Sequence, residues 1–273
     1  MQHTLETHLK ANPTTTDLKR VTQWEPFRLR RSHPDEAETA CLLGGDLFPF
    51  DWYPPEPLAL LAQALADPQA RILRATPGNQ FDPQADVSET IRALPLEKAA
   101  EEPHLHVTLF NLTRLCEPGC VLHPLREEVF IPFQTLWQAH GVRWSGDFWP
   151  ILFISGHAAA TNYHIDPTPN GVFHLFGKKQ FHSLKRPSVW CPQPVKDAYL
   201  KEGQMATRPS GITDEDCLVH HNKPGDLVWV PQLTPHWVNA GSLSATITFA
   251  FRDFELLQGI RAEVEVPVET HSW

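Results

Sequence analysis

From Leu105 onward, proline and glycine divide the sequence into short strand-like stretches. Proline has no N–H for a β ladder and glycine favours turns, so these residues limit each stretch to a short strand. The clearest stretches are Trp149–Ser155, Lys179–Leu184 and Ser244–Phe251. Many short strands with few helices among them are typical of a closed double sheet. The sequence therefore predicts a mainly β protein built on a double-stranded β-helix, or jelly roll.

The first 100 residues have a different pattern. Pro57–Ala66 carries Leu58, Leu61 and Leu65 at helical spacing, which predicts an amphipathic helix. Val87–Leu94 predicts a second helix, and the rest of this region is largely polar or proline-rich and predicts irregular structure. We therefore expect a partly helical N-terminal cap over residues 1–100, a jelly-roll core over 101–255 and a tail over 256–273, all in one structural unit.

Composition limits the partners and the compartment. A formal net charge of -9 argues against nucleic-acid binding, which needs clustered Lys and Arg. The N-terminus lacks the apolar core of a signal peptide, and no apolar run approaches the length of a membrane span. Five cysteines, an odd number, suggest reduced thiols. We therefore predict a cytoplasmic protein, a monomer or weak dimer, with neither nucleic acid nor a membrane as partner.

His164 and Asp166 stand two positions apart, shortly after an apolar stretch. In an extended chain their side chains point to the same face. His236 follows another predicted strand, Asp226–Pro231, and we expect it on the loop after that strand. Two histidines and one carboxylate form the ligand set of non-haem Fe(II) oxygenases. The sequence predicts a metal site there, although His164 could be a core histidine and Asp166 could start a turn.

These residues resemble the Jumonji C (JmjC) group of cupin-like, Fe(II)/2-oxoglutarate-dependent dioxygenases. The resemblance covers roughly Trp144–Phe251 and, less clearly, Leu105–Trp144. It is carried by three sets of spacings: from Trp144 to His164; among His164, Asp166, Asn170, Gly177 and Lys179; and from Gly225-Asp226 through Pro231 to His236. Within the group, the spacing is most similar to that of the asparaginyl hydroxylase that acts on hypoxia-inducible factor.

The resemblance implies a role for each matched residue. His164, Asp166 and His236 would be the iron ligands. Lys179 and Thr161 would bind the distal carboxylate of 2-oxoglutarate.

Other positions near the co-substrate are also implied. His106 falls near the position of a tyrosine that binds 2-oxoglutarate in the relative, and Ala250 near that of an asparagine. Asn170 and His174 are expected beside the metal. We include His106 and Asn170 in the predicted co-substrate site.

The implied activity is an oxygenase that uses Fe(II), 2-oxoglutarate and O2 and releases succinate and CO2. It would hydroxylate a protein side chain or an amino-acid-like small molecule. Two alternatives remain open: a cupin metalloenzyme that does not use 2-oxoglutarate, and a non-catalytic jelly-roll binding domain. Lys179 with Thr161 favours the first reading. The aromatic segment Phe48–Tyr53 and the irregular stretch Pro192–Ile212 are expected to flank the cavity and bind substrate.

Overall fold

A computed structural model of the chain describes residues 41–42, 53–76, 85–131, 143–144, 148–203, 207–251, 254–256 and 260–261. The strands in these ranges are β1 Cys41–Leu42, β2 Arg71–Arg74, β3 Leu105–Leu109, β4 Arg143–Trp144, β5 Phe148–Ser155, β6 Asn170–Phe176, β7 Lys179–Leu184, β8 Cys217–Asn222, β9 Leu227–Val230, β10 His236–Ala240, β11 Ser244–Phe251, β12 Phe254–Leu256 and β13 Ile260–Arg261. The helices are α1 Pro57–Ala66, α2 Ser88–Arg92, α3 Leu96–Glu101, α4 His123–Leu125 (continued by a π-helical turn, Arg126–Phe130), α5 Pro187–Trp190 and α6 Gln193–Glu202, with 3₁₀ turns at Arg114–Cys116 and Asp214–Asp216.

Two antiparallel sheets form the centre of the fold. Within the described residues, the larger sheet has the order β1-β9-β6-β11-β5-β3-β2 and the smaller one β10-β7-β8. A separate small sheet joins β13, β12 and β4. The segment after β5 extends the smaller sheet, because Ala160 pairs with Asn239 and His164 pairs with His236. From β5 to β11 the chain thus passes back and forth between the two sheets. This is a jelly roll, which confirms the predicted fold class.

The main hydrophobic core lies on the outer face of the larger sheet. Phe173, Ile247 and Phe249 are almost fully buried there, packed with apolar residues from the N-terminal helices. Phe130 meets Phe249 edge-on, with ring centroids 5.0 Å apart. Aromatic pairs of this kind add about 0.5–1.5 kcal/mol beyond area burial. Because this core lies outside the jelly roll, the space between the two sheets remains available for a cavity.

Helix α1 has the predicted bounds. The Glu56 side chain accepts a hydrogen bond of 2.7 Å from the backbone N–H of Ala59, and Pro57 occupies the first helical position, where no N–H is required. Leu61 and Leu65 face the core as expected. Local sequence signals were sufficient for this element.

The prediction of an irregular stretch over Pro192–Ile212 is wrong for its first half, where α6 forms. Helix α6 buries none of its side chains, so it has no apolar stripe by which to recognise it. Its start and end signals are present, since Pro194 lies in the first turn and Gly203 closes the helix in a left-handed conformation with φ 65°. Such a proline–glycine pair is typical of a helix even without an apolar face.

Strand β2 comes from the predicted cap yet pairs with β3 at one edge of the larger sheet. It has only four residues, and both its ends are arginine, so the sequence showed no clear strand pattern. The division into cap, core and tail stays a prediction. In the segment Phe48–Tyr53, only Tyr53 is among the described residues, and its side chain is exposed.

No helix in the described part of the chain combines the length and the apolar character needed to cross a bilayer. Four of the five cysteines, Cys116, Cys120, Cys191 and Cys217, are free thiols.

Candidate metal centre

The two predicted histidine ligands lie opposite each other on neighbouring segments of the smaller sheet. The backbone N–H of His164 donates to the carbonyl of His236, and the backbone N–H of His236 donates to the carbonyl of His164, both at 3.0 Å. Directly opposed residues of an antiparallel bridge project to the same face. The ring centroids are accordingly 4.1 Å apart. The expectation that His236 lies on a loop is wrong, because it is the first residue of β10.

Asp166 completes the cluster. Its Oδ2 lies 3.4 Å from Nε2 of His236, and its Oδ1 lies 4.0 Å from Nε2 of His164. One ligand atom from each of the three residues lies within 4.8 Å of the others. The backbone carbonyl of Asp166 also accepts a 2.9 Å hydrogen bond from Leu233. The three side chains are therefore close enough to bind one ion.

Hydrogen bonds orient both imidazoles towards that point. Nδ1 of His164 donates to the carbonyl of Asn162 at 2.7 Å, and Nδ1 of His236 donates to the carbonyl of Thr234 at 2.9 Å. Each bond leaves Nε2 as the unprotonated nitrogen, which is the form that binds a metal. Burial also lowers the pKa of His236 to about 4, because a charged imidazole is poorly solvated there. This donor set fits a divalent transition metal.

Asn170 positions the carboxylate ligand. Its Nδ2 donates to Oδ2 of Asp166 at 2.6 Å, and its Oδ1 accepts from the hydroxyl of Thr168 at 3.3 Å. Partners of this kind fix the rotamer of a ligating carboxylate. Phe181 does the same for an imidazole, because its ring stacks on His236 at a centroid distance of 5.0 Å. Neighbouring side chains thus orient two of the candidate ligands, Asp166 and His236.

The cluster opens into a cavity of about 390 Å³ between the two sheets. The residues predicted for the metal and the co-substrate all line it: His106, Thr161, His164, Asp166, Asn170, Lys179 and His236. Most of the remaining wall is apolar, including Phe153, Val172 and Phe181. A cavity of this size, mostly apolar with a few polar groups, is typical of a small-molecule site.

Lys179 is a buried cation in this cavity, with only 5% of its surface exposed. Its Nζ donates to Oγ1 of Thr246 at 3.2 Å and to the carbonyl of Phe153 at 3.4 Å. No carboxylate in the described part of the chain pairs with it. Burial lowers the pKa of Lys179 to about 7, since the charged form lacks a compensating anion. The site is therefore suited to an anionic ligand.

Thr161 and His106 occupy other parts of the wall. Oγ1 of Thr161 accepts a 2.7 Å hydrogen bond from the backbone N–H of Val238, which leaves its O–H free to donate. His106 is buried and stacks on Phe153 with centroids 5.8 Å apart. Burial, and secondarily the charge of Lys179, lowers the pKa of His106 to about 3. It is consequently a neutral polar group at physiological pH.

His174 does not line the cavity; its Nε2 donates to the carbonyl of Gly177 at 3.0 Å instead. The described residues of Pro192–Ile212 do not line the cavity either, and their expected place at its mouth stays a prediction. Burial, and secondarily the charge of Asp166, raises the pKa of Tyr199 in this segment to about 12.

Several residues of the cavity were missed in the sequence. They share an inward-facing position on a strand: Arg71, Thr108, Phe153, Phe181, Asn222 and Thr246. The alternation of Thr246, Thr248 and Ala250 along β11 could have indicated an inner face. The residues around Asn222 in the sequence do not indicate that it lines the cavity, because its position there depends on its pairing with Lys179 on the neighbouring strand.

The fold and the site together define a jelly-roll protein with a candidate metal centre of two histidines and one carboxylate. No protein-family model matches the chain, and no curated protein matches it significantly.

Solved structures of an Escherichia coli protein do match. The X-ray structure of E. coli YcfD has a TM-score of 0.47 at 15% identity, over 82% of this chain and 52% of that one. A second structure of YcfD, described as a ribosomal oxygenase, contains cobalt and 2-oxoglutarate. It has a TM-score of 0.44 at 15% identity and covers 78% of this chain and 48% of that one. The structure of YcfD with cobalt and succinic acid has a TM-score of 0.43 at 14% identity, and it covers 78% of this chain and 48% of that one. The present chain thus spans about half the length of these proteins.

Proposed function

We propose that this chain is an Fe(II)- and 2-oxoglutarate-dependent oxygenase. One observation carries the proposal: a single cavity contains both the cluster of His164, Asp166 and His236 and the buried Lys179. No carboxylate of the described residues pairs with this lysine. The cluster suits a divalent metal, and the lysine suits an acid. When bound, iron and 2-oxoglutarate would supply the oxygen-activating chemistry, with succinate and CO2 as by-products.

Charge balance supports an acid with two carboxylates. A divalent ion beside Asp166 retains one net positive charge, and protonated Lys179 adds another. 2-Oxoglutarate carries two negative charges, which would balance those of the metal site and Lys179; the partly exposed Arg71 at the cavity wall would add one further positive charge. Burying uncompensated charge is costly, which makes a dianion a better match than a monoanion or a neutral ligand.

The protein residues would bind and orient the reactants. His164, Asp166 and His236 would hold the metal from one side and leave the remaining coordination positions to ligands. Lys179 would bind the distal carboxylate of the co-substrate, and Thr161 would donate its O–H to the same group. The apolar wall would exclude water from the reacting atoms.

We propose a protein side chain or an amino-acid-like small molecule as the substrate. A cavity of about 390 Å³ has room beyond a five-carbon acid for a single side chain or a molecule of that size. A nucleic acid is a poor match, because the chain carries a formal net charge of -9 and phosphate contacts need positive charge. The likeness to asparaginyl hydroxylases remains a prediction from motif spacing.

The test combines turnover with binding. Purified protein with Fe(II) and 2-oxoglutarate should release succinate, and the His236→Ala variant should not. Calorimetry on Mn(II)-loaded protein without O2 should show 2-oxoglutarate binding. Metal binding without 2-oxoglutarate binding would indicate a cupin metalloenzyme of another kind, and absence of metal binding would indicate a non-catalytic domain. Mass spectrometry of candidate peptides and amino acids should then identify a product that has gained one oxygen atom.

A further inference from the structure

We infer that Asn222 is a further co-substrate-binding residue, whose side-chain amide donates to the same distal carboxylate that Lys179 binds. The inference rests on the proposed function. It adds a residue that no spacing motif in the sequence indicated.

The register of the smaller sheet places Asn222 beside Lys179. Asn222 is the last residue of β8 and pairs directly with Lys179, the first residue of β7. Directly opposed residues of antiparallel strands project to the same face, with Cβ atoms about 4.5–5.5 Å apart. Both side chains line the cavity. A ligand atom held by Lys179 would therefore also be close to the Asn222 amide.

Asn222 has an unused donor and an unused acceptor. Its side chain is only 6% exposed, yet neither Nδ2 nor Oδ1 has a hydrogen-bond partner. Buried amides are nearly always hydrogen-bonded, so such a group at a cavity wall is available to a ligand that enters the cavity. Asn239, on the opposite face of the same sheet, shows the ordinary case, because its Nδ2 contacts Nε2 of His182 at 3.1 Å.

Lys179 alone has too few free N–H donors to satisfy a carboxylate at this end of the cavity. The ammonium has three N–H donors, and two of them are directed at Thr246 and at the carbonyl of Phe153. One N–H remains for the ligand. A carboxylate has two oxygens with about four acceptor sites. The O–H of Thr161 and the two N–H groups of Asn222 would supply the missing donors.

The experiment compares two acids on the Mn(II)-loaded protein by calorimetry without O2. 2-Oxoglutarate has the distal carboxylate, whereas pyruvate keeps the 2-oxo acid but lacks that carboxylate. We expect Asn222→Ala to weaken 2-oxoglutarate binding at least ~10-fold, because a hydrogen bond to a charged group is lost, and to leave the affinities for pyruvate and Mn(II) unchanged. Asn222→Asp keeps the side-chain volume and can pair with Lys179; it should weaken 2-oxoglutarate binding further by charge repulsion. Asn239→Ala is the matched control and should bind both acids like the wild type.

Two results would overturn the assignment of Asn222. One is wild-type 2-oxoglutarate affinity in both Asn222 variants. The other is an equal loss of 2-oxoglutarate and pyruvate binding, which would indicate a general structural role. If the wild type binds Mn(II) but not 2-oxoglutarate, the proposed function itself fails, and this inference fails with it. These outcomes are distinguishable within one set of titrations.

Discussion

Nε2 of His236 lies 3.4 Å from Oδ2 of Asp166, although the two residues come from separate segments of the smaller sheet. The contact is a neutral imidazole beside a carboxylate, since burial keeps the pKa of His236 at about 4. Metal–ligand bonds to nitrogen and oxygen are about 2.0–2.2 Å long. Only a small movement of these side chains would be needed to place one ion between them, so the site is nearly preformed.

Removal of any one ligand should abolish tight metal binding. With Co(II) or Mn(II) at 100 times its Kd, the wild type should gain about 2.7 kcal/mol of unfolding free energy. His164→Ala, Asp166→Ala and His236→Ala should each lose that gain, as measured by thermal unfolding with and without metal. His182→Ala is the control, because His182 stacks on Trp237 outside the cluster. A metal-dependent gain that persists in His236→Ala would contradict the site.

Asn170→Ala should weaken metal binding without removing a ligand. The variant loses the 2.6 Å bond that orients the Asp166 carboxylate, and loss of such a partner typically costs about 10–100-fold in metal affinity. Direct titration with Co(II) would measure this change. An unchanged Kd would show that Asp166 keeps its position without Asn170.

Lys179→Ala should reduce 2-oxoglutarate affinity while metal affinity remains near that of the wild type. Loss of one partner of a buried charge pair costs about 3–5 kcal/mol. Lys178→Ala is a matched control, because Lys178 is the exposed neighbour. Calorimetry on the Mn(II)-loaded variants would provide both affinities. If Lys179→Ala bound 2-oxoglutarate normally, another cation of the cavity such as Arg71 would have to anchor it.

Lys179 should also produce a pH-dependent stability difference in the ligand-free protein. Burial lowers its folded-state pKa from 10.5 to about 7, so between these values the unfolded chain binds more protons than the folded one. The contribution of this group to stability therefore rises with pH through that window. Lys179→Met should be more stable than the wild type below pH ~7, and the difference should shrink as pH rises towards 10.5. Urea unfolding across this range would measure it, and a constant difference would contradict the buried-cation assignment.

Gly177→Ala should be strongly destabilising. Gly177 has a φ of +81°, and a Cβ there would clash with the backbone carbonyl oxygen of Leu243. The added methyl group meets backbone in the turn that precedes Lys179. Gly203→Ala is the matched control, because Gly203 also has a positive φ but nothing within 4 Å of the added carbon. Backbone strain alone costs about 1–2 kcal/mol, so Gly177→Ala, which adds the clash, should lose clearly more unfolding free energy than Gly203→Ala.

Local patterns predicted much of the fold. Lys179–Leu184 and Ser244–Phe251 are strands with the predicted bounds, because side-chain alternation and closing turns are properties of a few neighbouring residues. The elements that the sequence did not predict, α6 and β2, lack such local patterns. Helix α6 buries no side chain, and β2 is too short to show a pattern, so neither had a local signature strong enough to recognise.

The sequence by itself determined the fold class and the candidate ligands, since residue types and their spacing along the chain specify both. It also indicated that His164 and Asp166 share a face, although the structure shows only a single bridge at His164. Only the tertiary structure decided that His236 opens a strand opposite His164, that Lys179 is buried without a carboxylate, and that Asn222 stands beside it. These facts depend on the register between strands, which follows from packing and hydrogen bonding across the whole jelly roll.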